Sequence, residues 1–148
     1  MPKLNLYIQD TTLNVLIPEE VIKVELAEVG LQGPPGPKGG ASDIVTITSD
    51  TQAVVNTSYI IDSPALVRVT LPEVCRTGDQ VGVSTKGVGY WRIVQNPNQK
   101  IYVGDSSTTL GITGRIDSID NGVSITIACI TENTEWIVIS LTGNVEVV

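Results

Sequence analysis

Residues 30–41 read Gly30-Leu31-Gln32, Gly33-Pro34-Pro35, Gly36-Pro37-Lys38, Gly39-Gly40-Ala41, with glycine at every third position. This period is typical of the collagen triple helix, in which three polyproline-type strands leave room only for glycine at their common axis. The prolines favour the extended backbone that each strand needs. The segment therefore predicts a short triple-helical neck built on Gly30, Gly33, Pro34, Pro35, Gly36, Pro37 and Gly39. A stiff single-chain linker is the alternative, because proline-rich segments also act as spacers without a partner.

Residues 1–29, which precede these triplets, alternate apolar and polar positions in three short bursts. Alternation with a period of two is typical of half-buried strands. Three strands in so few residues cannot bury enough surface to fold alone, so the segment is predicted to be a small β anchor that pairs with copies of itself or with another protein. The residues predicted to carry this contact are Leu4, Leu6, Ile8, Ile22, Val24 and Leu26.

Residues 42–148 form a continuous series of strand signals, rich in Val, Ile and Thr and separated by turn residues. Strands that recur every 8 to 12 residues or so favour a β-sandwich or barrel. Asn121-Gly122 is the strongest hairpin signal, because both residues accept positive φ. The apolar C-terminus is expected to dock, and a neighbouring subunit is one surface for it. The predicted fold class is all-β: an anchor over 1–29, a neck over 30–41 and a β knob over 42–148.

The composition of the chain excludes several classes of partner. Of its 148 residues, 41% are hydrophobic and 17% charged, a balance typical of folded protein. The net charge of -7, with the basic residues scattered singly, argues against binding to nucleic acid, which needs clustered Lys and Arg. There is no run of about 18 apolar residues, so no membrane insertion is expected. The N-terminus lacks the apolar core of a signal peptide.

Candidates for catalysis are few, since the chain contains no histidine, the commonest general base and metal ligand. The carboxylates of Glu19 and Glu20 are best explained by a solvated surface. The stretch from Asp117 to Gly122 has an apolar Ile119 at the third ligand position of a calcium loop and no closing glutamate. Residues 104–109 lack the lysine and helix of a phosphate loop. We expect no enzyme, no metal site and no cofactor.

Two pairs of residues allow two interpretations each. Cys75 and Cys129 lie far apart in sequence, and a disulfide is one interpretation. Two buried free thiols on strands is the favoured one, because no secretion signal is present. Trp91 and Trp136 would suggest glycan binding if exposed, but core packing is favoured because the chain has few other large apolar fillers.

The order of these parts resembles small phage virion proteins, which combine a β-rich anchor, a collagen-like stretch and a C-terminal β domain. The more specific string spans residues 59–144 and is similar to terminal domains of phage fibre and tail-associated proteins: Tyr59-Ile60-Ile61-Asp62, Val69-Thr70-Leu71-Pro72, Gly78-Asp79, Trp91-Arg92-Ile93-Val94-Gln95-Asn96, Gly104, Thr108-Thr109, Cys129, Asn133-Thr134-Glu135-Trp136 and Gly143-Asn144. These motifs are mostly turn and core residues. The resemblance implies a homotrimer, in which the β domain trimerises and nucleates the triple helix.

The length of the neck bears on which virion protein this is. Twelve residues at about 3.1 Å each span only about 37 Å, which suits a projection from a capsid better than a fibre that needs reach. The leading hypothesis is a trimeric head fibre or capsid-decorating protein on the virion surface, assembled in the host cytoplasm. Residues 1–29 would bind the capsid or another virion protein, and the knob would project, with weak adhesion to the host surface.

A receptor-binding tail fibre or tail-tip protein that recognises a host surface glycan is the alternative. A glycan-active enzyme is a third hypothesis, which the missing histidine and the missing catalytic carboxylate pair argue against.

Overall fold

The computed structural model describes residues 43–148, which form twelve strands and no helix. The all-β prediction is confirmed for this part of the chain. The predicted anchor (1–29) and neck (30–41) lie outside the described residues and stay predictions. The strands are β1 (Asp43–Ile47), β2 (Thr51–Gln52), β3 (Thr57–Ile61), β4 (Leu66–Thr70), β5 (Gln80–Thr85), β6 (Tyr90–Val94), β7 (Lys100–Val103), β8 (Ser106–Ser107), β9 (Arg115–Ser118), β10 (Ser124–Thr131), β11 (Glu135–Thr142) and β12 (Val145–Val147).

The strands form two sheets. Sheet A has seven strands in the order β1-β3-β5-β10-β11-β7-β8, and sheet B has five in the order β12-β9-β6-β4-β2. From β1 to β6 the chain alternates between the sheets, and successive strands within each sheet run parallel. The first half of the knob is therefore a coil of three turns, each with one strand in sheet A and one in sheet B.

The second half of the knob completes both sheets with mainly antiparallel pairs, except that β7 runs parallel to β11. The β10–β11 hairpin lies between β5 and β7 in sheet A, and β9 and β12 extend sheet B beyond β6. The apolar C-terminus pairs within its own chain, because β12 forms an antiparallel ladder with β9. The expected docking of this terminus is therefore confirmed, and the surface that it docks on belongs to its own chain.

The hairpin prediction at Asn121-Gly122 is wrong. The strands on either side, β9 and β10, belong to different sheets, so the turn crosses the end of the core instead of joining hydrogen-bonded neighbours. Gly122 adopts the expected positive φ of 76°, but Asn121 instead accepts a hydrogen bond from the amide of Gly89 through Oδ1. The Asn121-Gly122 signal indicates a tight turn. The pairing partners of β9 and β10 are decided by how both strands pack on the shared core.

One core lies between the two sheets and follows from the alternation along each strand. In β10, for example, Ile125, Ile127 and Cys129 are buried while the residues between them face outward. Trp91 in sheet B and Trp136 in sheet A are fully buried, which confirms their assignment to the core. The indole N–H of Trp91 donates to the carbonyl of Val123 at 3.0 Å, whereas no described residue accepts from Nε1 of Trp136.

Candidate functional site

The residues predicted to carry function from the sequence are not among those that the structure describes. Both the anchor contacts and the glycines and prolines of the neck precede Asp43. The structure adds the surface of the knob, whose described residues begin at position 43, two residues after Ala41. Its two largest surfaces are the outer faces of sheets A and B.

The outer face of sheet A has an uncharged patch over parts of the adjacent strands β1, β3, β5, β10 and β11 and one position of β7, and Glu135 of β11 and Lys100 of β7 form a charged row at its border. The strand register aligns its residues in three rows, which together we call the serine–threonine face: Thr46, Ile60, Ser84, Ser124 and Thr142; Ile44, Ser58, Gly82, Thr126 and Ser140; Gln80, Ala128, Ile137 and Tyr102. Small hydroxyl side chains dominate. In a chain with 16 acidic and 9 basic residues, an uncharged patch of this extent is a distinctive surface.

The side chains at the centre of this face project only a short distance from the sheet. Gly82 lies directly beside Ser58, and a Cβ at position 82 would come within 2.7 Å of the Ser58 hydroxyl. On the next row, the hydroxyls of Ser84 and Ser124 form a hydrogen bond of 2.7 Å between neighbouring strands. Side chains that are short and bonded to each other leave a flat surface that a second protein surface can approach closely.

Strand β1 forms the edge of the same sheet and is exposed on both sides. Ile44, on the serine–threonine face, is 74% exposed, and Val45, on the other side, is 41% exposed. Among the described residues, no strand pairs with the outer edge of β1. An edge strand with exposed apolar side chains and free backbone groups is a surface on which another chain readily docks.

The outer face of sheet B is, in contrast, charged and paired. Arg92 and Asp117 lie opposite each other in register and form two hydrogen bonds, from Nε to Oδ1 at 2.6 Å and from Nη2 to Oδ2 at 2.8 Å. Arg115 donates to the same carboxylate at 3.1 Å. Burial alone would raise the pKa of Asp117, but the hydrogen bonds from Arg92 and Arg115 outweigh it and hold that pKa below its ordinary value. Asp117 is a structural ion-pair partner, and its neighbour Asp120 separately accepts a hydrogen bond from Asn144.

The two cysteines meet in the core as free thiols, in agreement with the favoured interpretation, although only Cys129 lies on a strand. Their sulfur atoms are 2.9 Å apart. Burial, followed by the hydrogen bond with Cys75, raises the pKa of Cys129 to about 12. A thiol that stays protonated at neutral pH is a weak nucleophile and a weak metal ligand, and both thiols are buried in the core.

A buried polar cluster at one end of the knob was not identified from the sequence. The Gln95 side-chain amide donates to the carbonyls of Gln99 and Gly111, and its oxygen accepts from Thr108. The amide of Gln99 donates to the carbonyl of Pro72 at 2.7 Å. The cluster provides hydrogen-bond donors for loop carbonyls that would otherwise be buried without partners. The loop over 104–109 therefore has a structural role here. The available signal is the position of Gln95, which continues the buried alternation of Trp91 and Ile93.

Within residues 43–148, no group of three or more acidic or cysteine side chains is arranged to hold a metal ion. The same residues include no helix long and apolar enough to cross a membrane.

A scan against protein-family models gives no match for this chain, and a search of curated proteins finds no similar sequence.

Proposed function

We propose that the protein is a structural component of a phage virion, a homotrimeric head fibre or capsid-decorating protein that holds its β knob above the capsid surface. Residues 1–29 attach to the capsid or another virion protein, and residues 30–41 form the triple-helical neck. The role is structural and not enzymatic. The observation that carries the proposal is the serine–threonine face, which starts at β1, immediately after the glycine triplets.

The chemistry of this face suits contact with copies of the same chain. A chain with a net charge of -7 repels its own copies, so contact between copies is easiest where the contacting surface adds no unpaired charge. The serine–threonine face meets that condition, and its small side chains let three flat sheets approach around one axis. Sheet faces pack at about 10 Å, and only short side chains allow three of them to meet closely.

The size of the face indicates that it works together with other contacts. Four strand spacings of about 4.8 Å and two row spacings of about 6.8 Å give a patch of about 19 by 14 Å. That is smaller than the roughly 800 Å² per partner of a typical stable interface. The exposed edge of β1 and the neck supply the remaining contact. Chains joined at the neck also face each other at high effective concentration, which stabilises a modest interface.

The short neck favours the head over the tail. A spacer of about 37 Å lifts a knob clear of a surface but gives little reach. A capsid protein needs an anchor, a spacer and a stable knob, and the three segments of this chain supply these parts in that order. The alternative, a receptor-binding tail fibre, rests on the same resemblance but lacks a long shaft.

Two measurements test the proposal. Light scattering on the full chain should give three times the chain mass of 15.7 kDa, and a stable monomer would overturn the trimer. Gold-labelled antibody against residues 43–148 should decorate the heads of purified virions. Labelling confined to the tail tip would replace the head-fibre role by the tail-fibre role, and no labelling of virions would reject both.

A further inference from the structure

The outer face of sheet B contains a second feature that the structural role does not use. Three of the four arginines in the chain, Arg68, Arg92 and Arg115, line one shallow depression together with Val94, Ile112 and Thr113. We call it the arginine depression. Its volume is about 310 Å³, and it is open to solvent.

The register of the sheet places like charges side by side in this depression. Arg68 of β4 lies directly opposite Arg92 of β6, and Arg92 lies opposite Asp117 of β9. Asp117 in turn faces Glu146 of β12. The row therefore runs from two positive to two negative side chains, with Arg115 adding a third positive charge on the next row. Asp50 pairs with Arg68, and Asp117 pairs with Arg92 and Arg115, so the carboxylates already offset part of the repulsion between the arginines, and an anion would bind through the guanidinium edges that they leave open.

The carboxylates nearby hold each guanidinium by one edge and leave another edge open. Asp50 accepts from Nη1 of Arg68 at 3.2 Å. Asp117 accepts from Nε and Nη2 of Arg92 and from Nε of Arg115. Among residues 43–148, no group accepts a hydrogen bond from Nη1 of Arg92 or from Nη1 and Nη2 of Arg115. The Arg92 and Arg115 side chains are partly exposed, so these donors face solvent, while the bonds to Asp117 hold the guanidinium groups in position and reduce the entropy that they lose when a ligand binds.

The rest of the depression is lined by apolar side chains and one hydroxyl group. Ile112 is 69% exposed, and Val94 is half-buried beneath it on β6. Thr113 adds a hydroxyl next to them. An inorganic anion would contact only the guanidinium groups, whereas an organic molecule would also cover the exposed isoleucine and gain from burying it.

We propose that the arginine depression binds an organic oxyanion, such as an acidic sugar, with its carboxylate or phosphate on Arg92 and Arg115 and its carbon skeleton on Ile112 and Val94. Bidentate contact with planar carboxylate or phosphate is the geometry for which arginine is suited. The site is separate from the serine–threonine face, and the proposal does not depend on the oligomeric state.

Calorimetric and NMR titration of the full chain at low salt tests this site with four probes: glucuronate, glucose 6-phosphate, inorganic phosphate and neutral glucose. Glucuronate or glucose 6-phosphate should bind and shift the amide signals of Ile112, Thr113 and Arg115, while glucose should not. The variant Arg115→Gln should weaken binding about tenfold, because it removes a charge-assisted hydrogen bond. The matched control is Arg76→Gln, which removes the fourth arginine outside the depression and should leave the affinity unchanged.

The other outcomes overturn the proposal in whole or in part. Equal loss of binding in the Arg76 and Arg115 variants would show nonspecific attraction, and absence of binding by all three anions would remove the site. If inorganic phosphate binds as tightly as glucose 6-phosphate, the apolar part of the site contributes nothing and the organic ligand is rejected. The fold of each variant is checked by its unchanged amide spectrum away from the depression. Because binding is measured whatever the mass of the assembly, failure here leaves the trimer untouched, and the reverse also holds.

Discussion

The outer faces of sheets A and B are built by the same alternation on the same core, yet they differ in charge and in the kinds of side chain that they expose. Sheet A shows an uncharged patch rich in serine and threonine, with charged residues only at its border. Sheet B shows arginines and carboxylates linked across strands, with Arg92 and Asp117 at its centre. Alternation dictates which residues face outward in both sheets. The difference between them is the one expected if sheet A contacts protein, as proposed, and sheet B faces solvent or a ligand.

The largest expected effect comes from placing a charge on the uncharged face. Thr126→Glu puts three glutamates close together around the axis of the proposed trimer, and opposed like charges at an interface cost several kcal/mol. We expect the variant to lose the trimer and run as a monomer in light scattering, with an unchanged circular dichroism spectrum.

The matched control for that variant is Thr70→Glu, on the outer face of sheet B. Thr70 is also a half-buried threonine in mid-sheet, next to Val94 in register. The mass of this variant should equal that of the unmodified chain. If Thr126→Glu also leaves the mass unchanged, the serine–threonine face is not the interface.

The second comparison concerns the core side of the two sheets, where each has one buried tryptophan. Trp91→Phe deletes a ring and leaves the carbonyl of Val123 without its donor, whereas Trp136→Phe deletes a ring whose N–H has no acceptor among the described residues. Both variants should be destabilised, and Trp91→Phe by about 1 kcal/mol more, the typical worth of a hydrogen bond. Urea unfolding measures the difference. Equal losses would mean that the Val123 contact contributes nothing to stability.

The smallest effect is the pH dependence of the ion pairs on sheet B. The pKa of Asp117 is lowered in the folded state, so its contribution is fully present above its ordinary pKa of 3.8 and is lost as the pH falls through the lowered value. Asp117→Asn should cost about 1 kcal/mol at pH 7, a modest amount because Arg92 and Arg115 are partly solvated. The gap between the variant and the unmodified chain should narrow below pH 3.8 in urea unfolding series. A gap that is constant down to the acid limit would show that the charge of Asp117 is not what stabilises the pair.

Strand positions within the knob could be predicted well from the sequence, but strand partners could not. The strand signals over 80–85 and 123–131, for example, predict β5 and β10 to within one residue, while nothing local indicates that these strands pair. The turn at Asn121-Gly122 shows the limit most directly. Its residues encode a reversal of direction, but the hydrogen-bonding partners of the strands around it lie elsewhere in the chain.

The candidate surfaces were beyond prediction for a related reason. Arg68, Arg92 and Arg115 are separated by more than twenty residues each along the sequence, and only the pairing of β4, β6 and β9 brings them to one depression. The serine–threonine face likewise draws its residues from β1, β3, β5, β10, β11 and β7. No single strand contains enough of either surface to indicate it.

By itself, the sequence determined the glycine triplets, the all-β character of the described knob and the inward or outward side of most strand residues. These depend on local geometry, since a strand points successive side chains to opposite sides whatever its neighbours are. The three-turn coil, the inserted β10–β11 hairpin and the two contrasting faces were decided only by the tertiary structure. Backbone hydrogen-bonding groups are the same in every strand, so the choice of partner falls to the packing of distant side chains on one shared core.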